Sequence, residues 1–221
     1  MKARFLTLDD MPNILRLQEK VVGALVEKSA LQPLTVEEFT SVLSEKELMI
    51  GLFDNGKLIA CRAMLVPEIG HEEHLGPDAG LSGEALSKVI HSEISMVDPD
   101  FRGQGLQTQM GKMLLEKIDR TRFRYILATV APFNIPSIKD KLALGMNIIA
   151  LKEKYSSKLR YIMYRDLEES NKESGLDGPF YGNKEVWVPM EDTKQQQTLL
   201  ATGKKGTQIK ALEGKWHVKF I

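Results

Sequence analysis

Cysteine is almost absent: Cys61 is the only one in 221 residues. A single cysteine excludes an intrachain disulfide and any cysteine-built metal cluster, and it points to a reducing, cytoplasmic compartment. An excess of one charge is also lacking. Lys and Arg number 30 against 30 Asp and Glu, so the basic surplus of a dedicated nucleic-acid binder is missing and no nucleic-acid partner is expected. No stretch approaches the roughly 18 apolar residues of a membrane span, and residues 1–10 lack the apolar run of a secretory leader. No membrane association is expected. Repeats and low-complexity tracts are missing as well. What remains is an ordinary globular composition, 43% apolar and 27% charged, in a chain long enough for one domain plus an appendage.

The pattern along the chain is that of an α/β protein. Residues 5–8 open as a strand. Asp9 and Asp10 are placed to cap a helix with Pro12 in its first turn, running on through Ile14, Leu17, Val21 and Leu25. Thr35 and Glu38 form a T-x-x-E capping box for a second helix over 36–45. Asn55-Gly56 between two apolar runs predicts a hairpin. Residues 67–87 form a long loop rich in Gly and Pro, with a short helix near 83–88. A strand over 89–97, a helix over 107–120, a strand over 125–130 and a helix over 135–144 follow, the last ended by Gly145. Two strands, 147–155 and 158–166, joined through Ser156-Ser157, close this part. Together they predict a mixed β-sheet flanked by helices, with a parallel crossover across 89–130.

Residues 168–183 are polar, carry Gly175, Pro179 and Gly182, and are read as a linker. Residues 184–221 are a small β-rich extension: a strand at 185–188, a helix between Asp192 and Gly203, and a hairpin in which Trp216, Val218 and Phe220 alternate. So short a segment hardly forms its own core. It is expected to pack on the main domain, 1–167, or on a second subunit as a homodimer.

The most informative run is residues 91–107, a strand entering a glycine-containing turn that opens a helix. Glycines let the backbone adopt positive φ and approach a ligand, and N–H groups at a helix start attract phosphate. Other phosphate motifs fit poorly. A dinucleotide fingerprint needs a third glycine where Thr108 stands, and no Gly-Lys-Ser/Thr follows as a P-loop requires. The run Val97-Asp98-Pro99-Asp100-Phe101-Arg102-Gly103-Gln104-Gly105-Leu106 closely resembles the acyl-CoA signature of the GNAT superfamily of N-acyltransferases. Asn134-Ile135-Pro136-Ser137 and Leu144-Gly145-Met146 resemble the family's next segment, and the order of elements matches over residues 1–167. One departure is visible. The signature R/Q-x-x-G-x-G/A begins at Arg102 and ends on Gln107 in place of Gly or Ala.

The resemblance implies a GNAT-like fold and acetyl-CoA as co-substrate, with no metal. It places the pantetheine arm along 90–97, including Met96 and Val97, and the pyrophosphate on Arg102, Gly103, Gln104, Gly105, Leu106 and Gln107. Asn134 and Ser137 are further contacts, Asn134 being equally readable as a helix N-cap. The implied reaction is direct attack of an amine, on a small molecule or a peptide, upon the thioester. A base must take the amine's proton, and a backbone N–H near Val97 could hold the oxyanion. Glu93 is the first choice of base and His91 the second, sharing one face of the strand. The family's tyrosine acid falls on Lys141, with Tyr155, Tyr161 and Tyr164 as alternatives. A non-catalytic acetyl-CoA-binding module on the same fold is the rival reading.

Three other signals read as structural. His71-Glu72-Glu73-His74 lacks the H-E-x-x-H metal spacing. Lys117, Arg120, Arg122 and Arg124 suit a solvated helix end, with a CoA 3′-phosphate contact as the alternative. Cys61 has no histidine at readable spacing and is read as a buried strand residue.

Overall fold

The computed structural model describes residues 1–25, 31–155, 157–169 and 185–221. From residue 170 onward the expected linker lies outside the described residues, as does Ser156 of the connection ahead of 158–166. The chain divides into two compact units, Met1–Val66 with Ile90–Asp119, and Pro67–Val89 with Arg120–Ile221.

The first unit contains β1 (Lys2–Phe5), α1 (Met11–Gly23), α2 (Val36–Ser44), β2 (Met49–Asp54), β3 (Lys57–Leu65), β4 (Val89–Val97, from Ile90 on) and α3 (Leu106–Lys117). Its strands run antiparallel in the order β1-β2-β3-β4. The hairpin turns where expected, with Asn55 at φ 46° and Gly56 at φ 79°, the paired left-handed residues of a type I′ turn. The capping box also forms: Thr35 Oγ1 accepts from Glu38 N at 3.2 Å and Glu38 Oε2 from Thr35 N at 2.7 Å. The expected side-chain cap of α1 does not form. Asp10 sits at the N-cap position without a cap bond. Its carboxylate instead takes both Arg4 amino groups at 2.7 Å and the Thr7 N–H at 3.0 Å, because a bidentate guanidinium outcompetes a single helix N–H. The helix itself ends at Gly23, short of Leu25.

Ile14, Leu17 and Val21 of α1 and Phe39, Val42 and Leu43 of α2 pack with Cys61, Ala63, Ile94 and Met96 in one core cluster. Each such side chain stabilises by about 1.5–3 kcal/mol before ordering costs. Cys61 is fully buried and free, and burial pushes its thiol pKa well up. Arg62 alternates with Cys61 and Ala63, so it points to the opposite face, where it meets Gln107 of α3. The unit's sheet is therefore covered by α1 and α2 on one face and by α3 on the other.

The second unit holds β5 (Tyr125–Val130), α4 (Ile135–Ala143), β6 (Asn147–Lys154), β7 (Lys158–Asp166), β8 (Val186–Pro189), α5 (Thr193–Ala201), β9 (Gly206–Leu212) and β10 (Lys215–Phe220). Its strand order is β5-β7-β6-β9-β10-β8. β9 joins β6 where Gly206 faces Ile148. A Cβ at Gly206 would lie 2.9 Å from Val218 and 3.0 Å from Ile148, so only glycine permits this approach. The loop after β3 is not loose. Leu75 is buried among Val89, Leu127, Ala150 and Ile162, and Asp78 pairs with Lys152 at 2.9 Å and Lys154 at 2.7 Å. The helix expected near 83–88 is a 3₁₀ turn.

Residues 185–221 belong to this second unit, with Val188, Met190, Val218 and Phe220 fully buried. Gln196, also fully buried, accepts the Tyr161 hydroxyl at 2.7 Å and donates to the carbonyls of Pro189 and Met190 at 3.0 Å each. Gln196→Ala would strip a partner from the buried Tyr161 hydroxyl and from the Met190 carbonyl and should lower stability by about 2–3 kcal/mol in a denaturant titration. A loss no larger than that of an exposed Gln→Ala control, such as Gln195→Ala, would contradict this.

Candidate functional site

β4 does not pair evenly with β3. Arg62 faces Ser95 and Met64 faces Ser92, so Glu93 and Ile94 together oppose Ala63. This is a β-bulge, a device that re-aims side chains. Leu65, which faces His91, packs toward the α1–α2 core. His91, Glu93, Ile94 and Met96 thus share that face, while Ser92, Ser95 and Val97 take the α3 face with Arg62. Glu93 is exposed, whereas His91 is buried at 5% exposure. The Met96 side chain lies in the core, so only its main chain remains for a ligand. The Ser95 hydroxyl is buried without a hydrogen-bond partner among the described residues.

At the end of β4, a 3₁₀ turn over Pro99–Phe101 leads to Gly103 at φ 79° and Gly105 at φ 71°, and α3 begins at Leu106. Arg102, Gly103, Gln104 and Gly105 are exposed, Leu106 is buried and Gln107 half-buried. A Cβ on Gly105 would meet no protein atom within 4 Å. Its glycine is required by backbone conformation and not by crowding. The first N–H groups of α3 have no intrahelical acceptor, as in any α-helix.

The turn is braced from below. Asp98 is fully buried, accepts from Asp100 N at 3.1 Å, and pairs with Lys20 of α1 at 2.5 Å and Lys57 of β3 at 3.0 Å. Lys20 also reaches Asp100 at 2.6 Å. Asp98, Lys20 and Lys57 border a cleft of about 290 Å³ with Asn13, Arg16, Leu17 and Leu58. Burial alone would raise the Asp98 pKa, but the bonds from Lys20 and Lys57 more than reverse this and hold it at about 2. A folded pKa below that of the unfolded chain gives stability that is present near neutrality and lost as pH falls through 4 toward 2. The stability gap between wild type and Asp98→Asn should therefore narrow over that range by about 1–2 kcal/mol, the half-exposed lysines being screened. Acid-denaturation curves with a constant gap would count against it.

In the second unit, Asn134 caps α4, its Oδ1 accepting from Ser137 N at 3.3 Å. Lys141 is buried, with Nζ 3.5 Å from the Asp140 carboxylate. Tyr161 is bound to Gln196, and burial pushes its pKa well up; burial raises Tyr164 to about 12. The Tyr155 hydroxyl lies 3.3 Å from Thr129 Oγ1. Arg124 is tied to Asp166 and Glu168. In the His71–His74 run, His71 Nδ1 accepts from Glu73 N and buried His74 Nδ1 from Gly76 N. Among the described residues no group of three or more His, Cys, Asp or Glu side chains is placed to hold a metal ion. No helix among them is long and apolar enough to cross a membrane.

The strand–turn–helix from His91 to Gln107 thus lies in the first unit, while Asn134, Ser137 and Lys141 lie in the second. Sequence reasoning missed Arg62 and the two lysines on Asp98. The one available signal was an arginine within the apolar run of β3.

The solved structures similar to this chain include acetyltransferases. The Escherichia coli ribosomal-protein-S18-alanine N-acetyltransferase matches with TM-score 0.55 and 18% identity, covering 81% of this chain and 99% of its own. The Salmonella typhimurium protein yncA, solved with its cofactor acetyl-CoA, gives 0.57 and 16% over 77% and 96%. Chaetomium thermophilum Naa20, solved with a bisubstrate analogue, gives 0.59 and 15% over 80% and 94%. The chain has the GNAT N-acetyltransferase fold, as its sequence led one to expect. No family model matches the sequence, and no curated protein matches it.

Proposed function

We propose that the protein transfers an acetyl group from acetyl-CoA to a primary amine of a small molecule or peptide. The observation that carries this reading is the pair of left-handed glycines, Gly103 and Gly105, set between β4 and the start of α3. Such a turn offers exposed backbone N–H groups to a diphosphate, assisted by the helix dipole. The residues fit the cofactor in a second respect: the unpartnered Ser95 hydroxyl lies on the strand along which the pantetheine arm would run. Bound acetyl-CoA supplies an activated acetyl thioester.

In this reading 102–107 hold the pyrophosphate, and the main chain at Met96 and Val97 pairs with the pantetheine arm. Glu93, exposed on the bulge, takes the proton of the attacking amine, with His91 as second choice. A backbone N–H near Val97 donates to the oxyanion. Lys141 stands where the resemblance places the tyrosine acid and Tyr161 is bound to Gln196, so in this reading the thiolate leaves unprotonated, with Tyr155 and Tyr164 as the alternative acids. This is compatible with a free thiol pKa of about 8.5. The protein works in the cytoplasm with no metal, and a homodimer is its proposed assembly.

That same Lys141 favours one rival, an acetyl-CoA-binding module without turnover. A thermal-shift comparison of acetyl-CoA, CoA, NAD and ATP, followed by an amine screen with thiol detection, separates the readings. Selective stabilisation by acetyl-CoA and CoA with thiol release supports the transferase. Stabilisation without release from any amine supports the module, and stabilisation by NAD or ATP alone overturns both.

A further inference from the structure

Arg62 is the largest fully buried side chain among the described residues, at 1% exposure. It occupies a central position of β3, flanked by Cys61 and Ala63 in the core. Burying a guanidinium is costly unless its donors are well placed, and an aliphatic residue would fill a strand position more cheaply. Its bonds show where that cost is offset. Nη2 donates to the Ser92 hydroxyl at 2.9 Å, and Nη1 donates to the Gln107 carbonyl at 3.1 Å. Ser92 is itself buried.

The register gives these bonds their meaning. Arg62 stands opposite Ser95, yet it bonds Ser92, on the far side of the bulge. Gln107 is the second residue of α3, so its carbonyl belongs to the helix turn that follows Gly105. One planar side chain therefore ties together β3, the bulged stretch of β4 and the first turn of α3. It also sets a positive charge beneath the end of α3 that favours anions.

We propose that Arg62 is a positioning residue for the acyl-CoA site. It fixes the first turn of α3 against β4, so that the N–H groups of the glycine turn and the main chain of the strand meet a single ligand in one arrangement. This rests on the acetyl-CoA reading above. It also accounts for the tolerance of Gln107 where the family carries Gly or Ala. The contact to α3 is made through the backbone of that residue, which any side chain provides.

The test uses the full chain and measures acetyl-CoA affinity by calorimetry beside steady-state kinetics. Arg62→Met keeps the volume and removes the bonds. Its acetyl-CoA Kd and KM should rise about tenfold to a hundredfold, with kcat and the KM for amine changing much less. Arg62→Lys, which cannot span both partners, should fall between it and wild type. Ser92→Ala removes one anchor with little risk to folding and should weaken acetyl-CoA about threefold. Amide exchange at 103–108 should speed up in these variants. A folded Arg62→Met with wild-type acetyl-CoA affinity would overturn the inference, and if that variant does not fold, wild-type affinity in Ser92→Ala does the same. Failure of the wild type to bind acetyl-CoA would instead remove the reading on which the inference stands.

Discussion

Replacing Gly105 by glutamate is expected to abolish acetyl-CoA binding while the protein stays folded. Gly105 lies at φ 71°, and a Cβ there would meet no protein atom within 4 Å. The fold therefore loses only the backbone preference, about 1–2 kcal/mol for a non-glycine residue in the left-handed region. That is small beside the 5–15 kcal/mol typical of a domain. The carboxylate, in contrast, projects from the turn at which the diphosphate is proposed to sit. It opposes the ligand by charge and by bulk, and the affinity should fall more than about a hundredfold. Gly105→Ala separates the two effects, since it carries the same backbone cost without the charge. Calorimetry on the folded Gly105→Glu variant decides the matter, and unchanged affinity there would remove the main support for an acyl-CoA site.

Glu93→Gln is expected to lower kcat roughly 10²–10⁴-fold, the range of general acid–base catalysis. The bulge makes this an informative substitution. It leaves Ile94 packed in the core while Glu93 beside it stays exposed, so an isosteric amide leaves the core untouched. Acetyl-CoA affinity should therefore be preserved and the loss confined to turnover. Near-normal kcat would shift the proton transfer to His91 or to a chain of water molecules, and His91→Ala would then distinguish these two.

The parts of the fold that were legible in the sequence are those decided by neighbours along the chain. Asn55-Gly56 selects its turn from two adjacent residues, and Thr35 and Glu38 satisfy each other across a single helical turn. Gly145, at φ 77°, ends α4 where expected, and Asp192 caps α5 through the Gln195 N–H. The glycine turn belongs to this group, which is why the candidate site could be placed at all. What escaped was decided by partners remote in sequence. Lys20 and Lys57 stand 78 and 41 residues before Asp98. Asp10 looks like a cap until Arg4 is brought beside it by β1. The bulge in β4 depends on the register against β3, and strict alternation along residues 91–97 would have set Glu93 together with Ser95 and Val97. Arg62 was hidden for the same reason: its place in an apolar run hints at burial, but its partners Ser92 and Gln107 lie 30 and 45 residues away.

The burial of Cys61 has a practical consequence for measuring this protein. It is the chain's single cysteine, it has no exposed surface, and its proton is held tightly. Thiol reagents act on the thiolate, so the folded protein should contribute no background to an assay that follows CoA release by its sulfur. The same silence makes a clean labelling host. A cysteine introduced at exposed Gln109, one turn into α3, would be the sole reactive thiol, and a fluorophore attached there would report ligand arrival beside the glycine turn in real time.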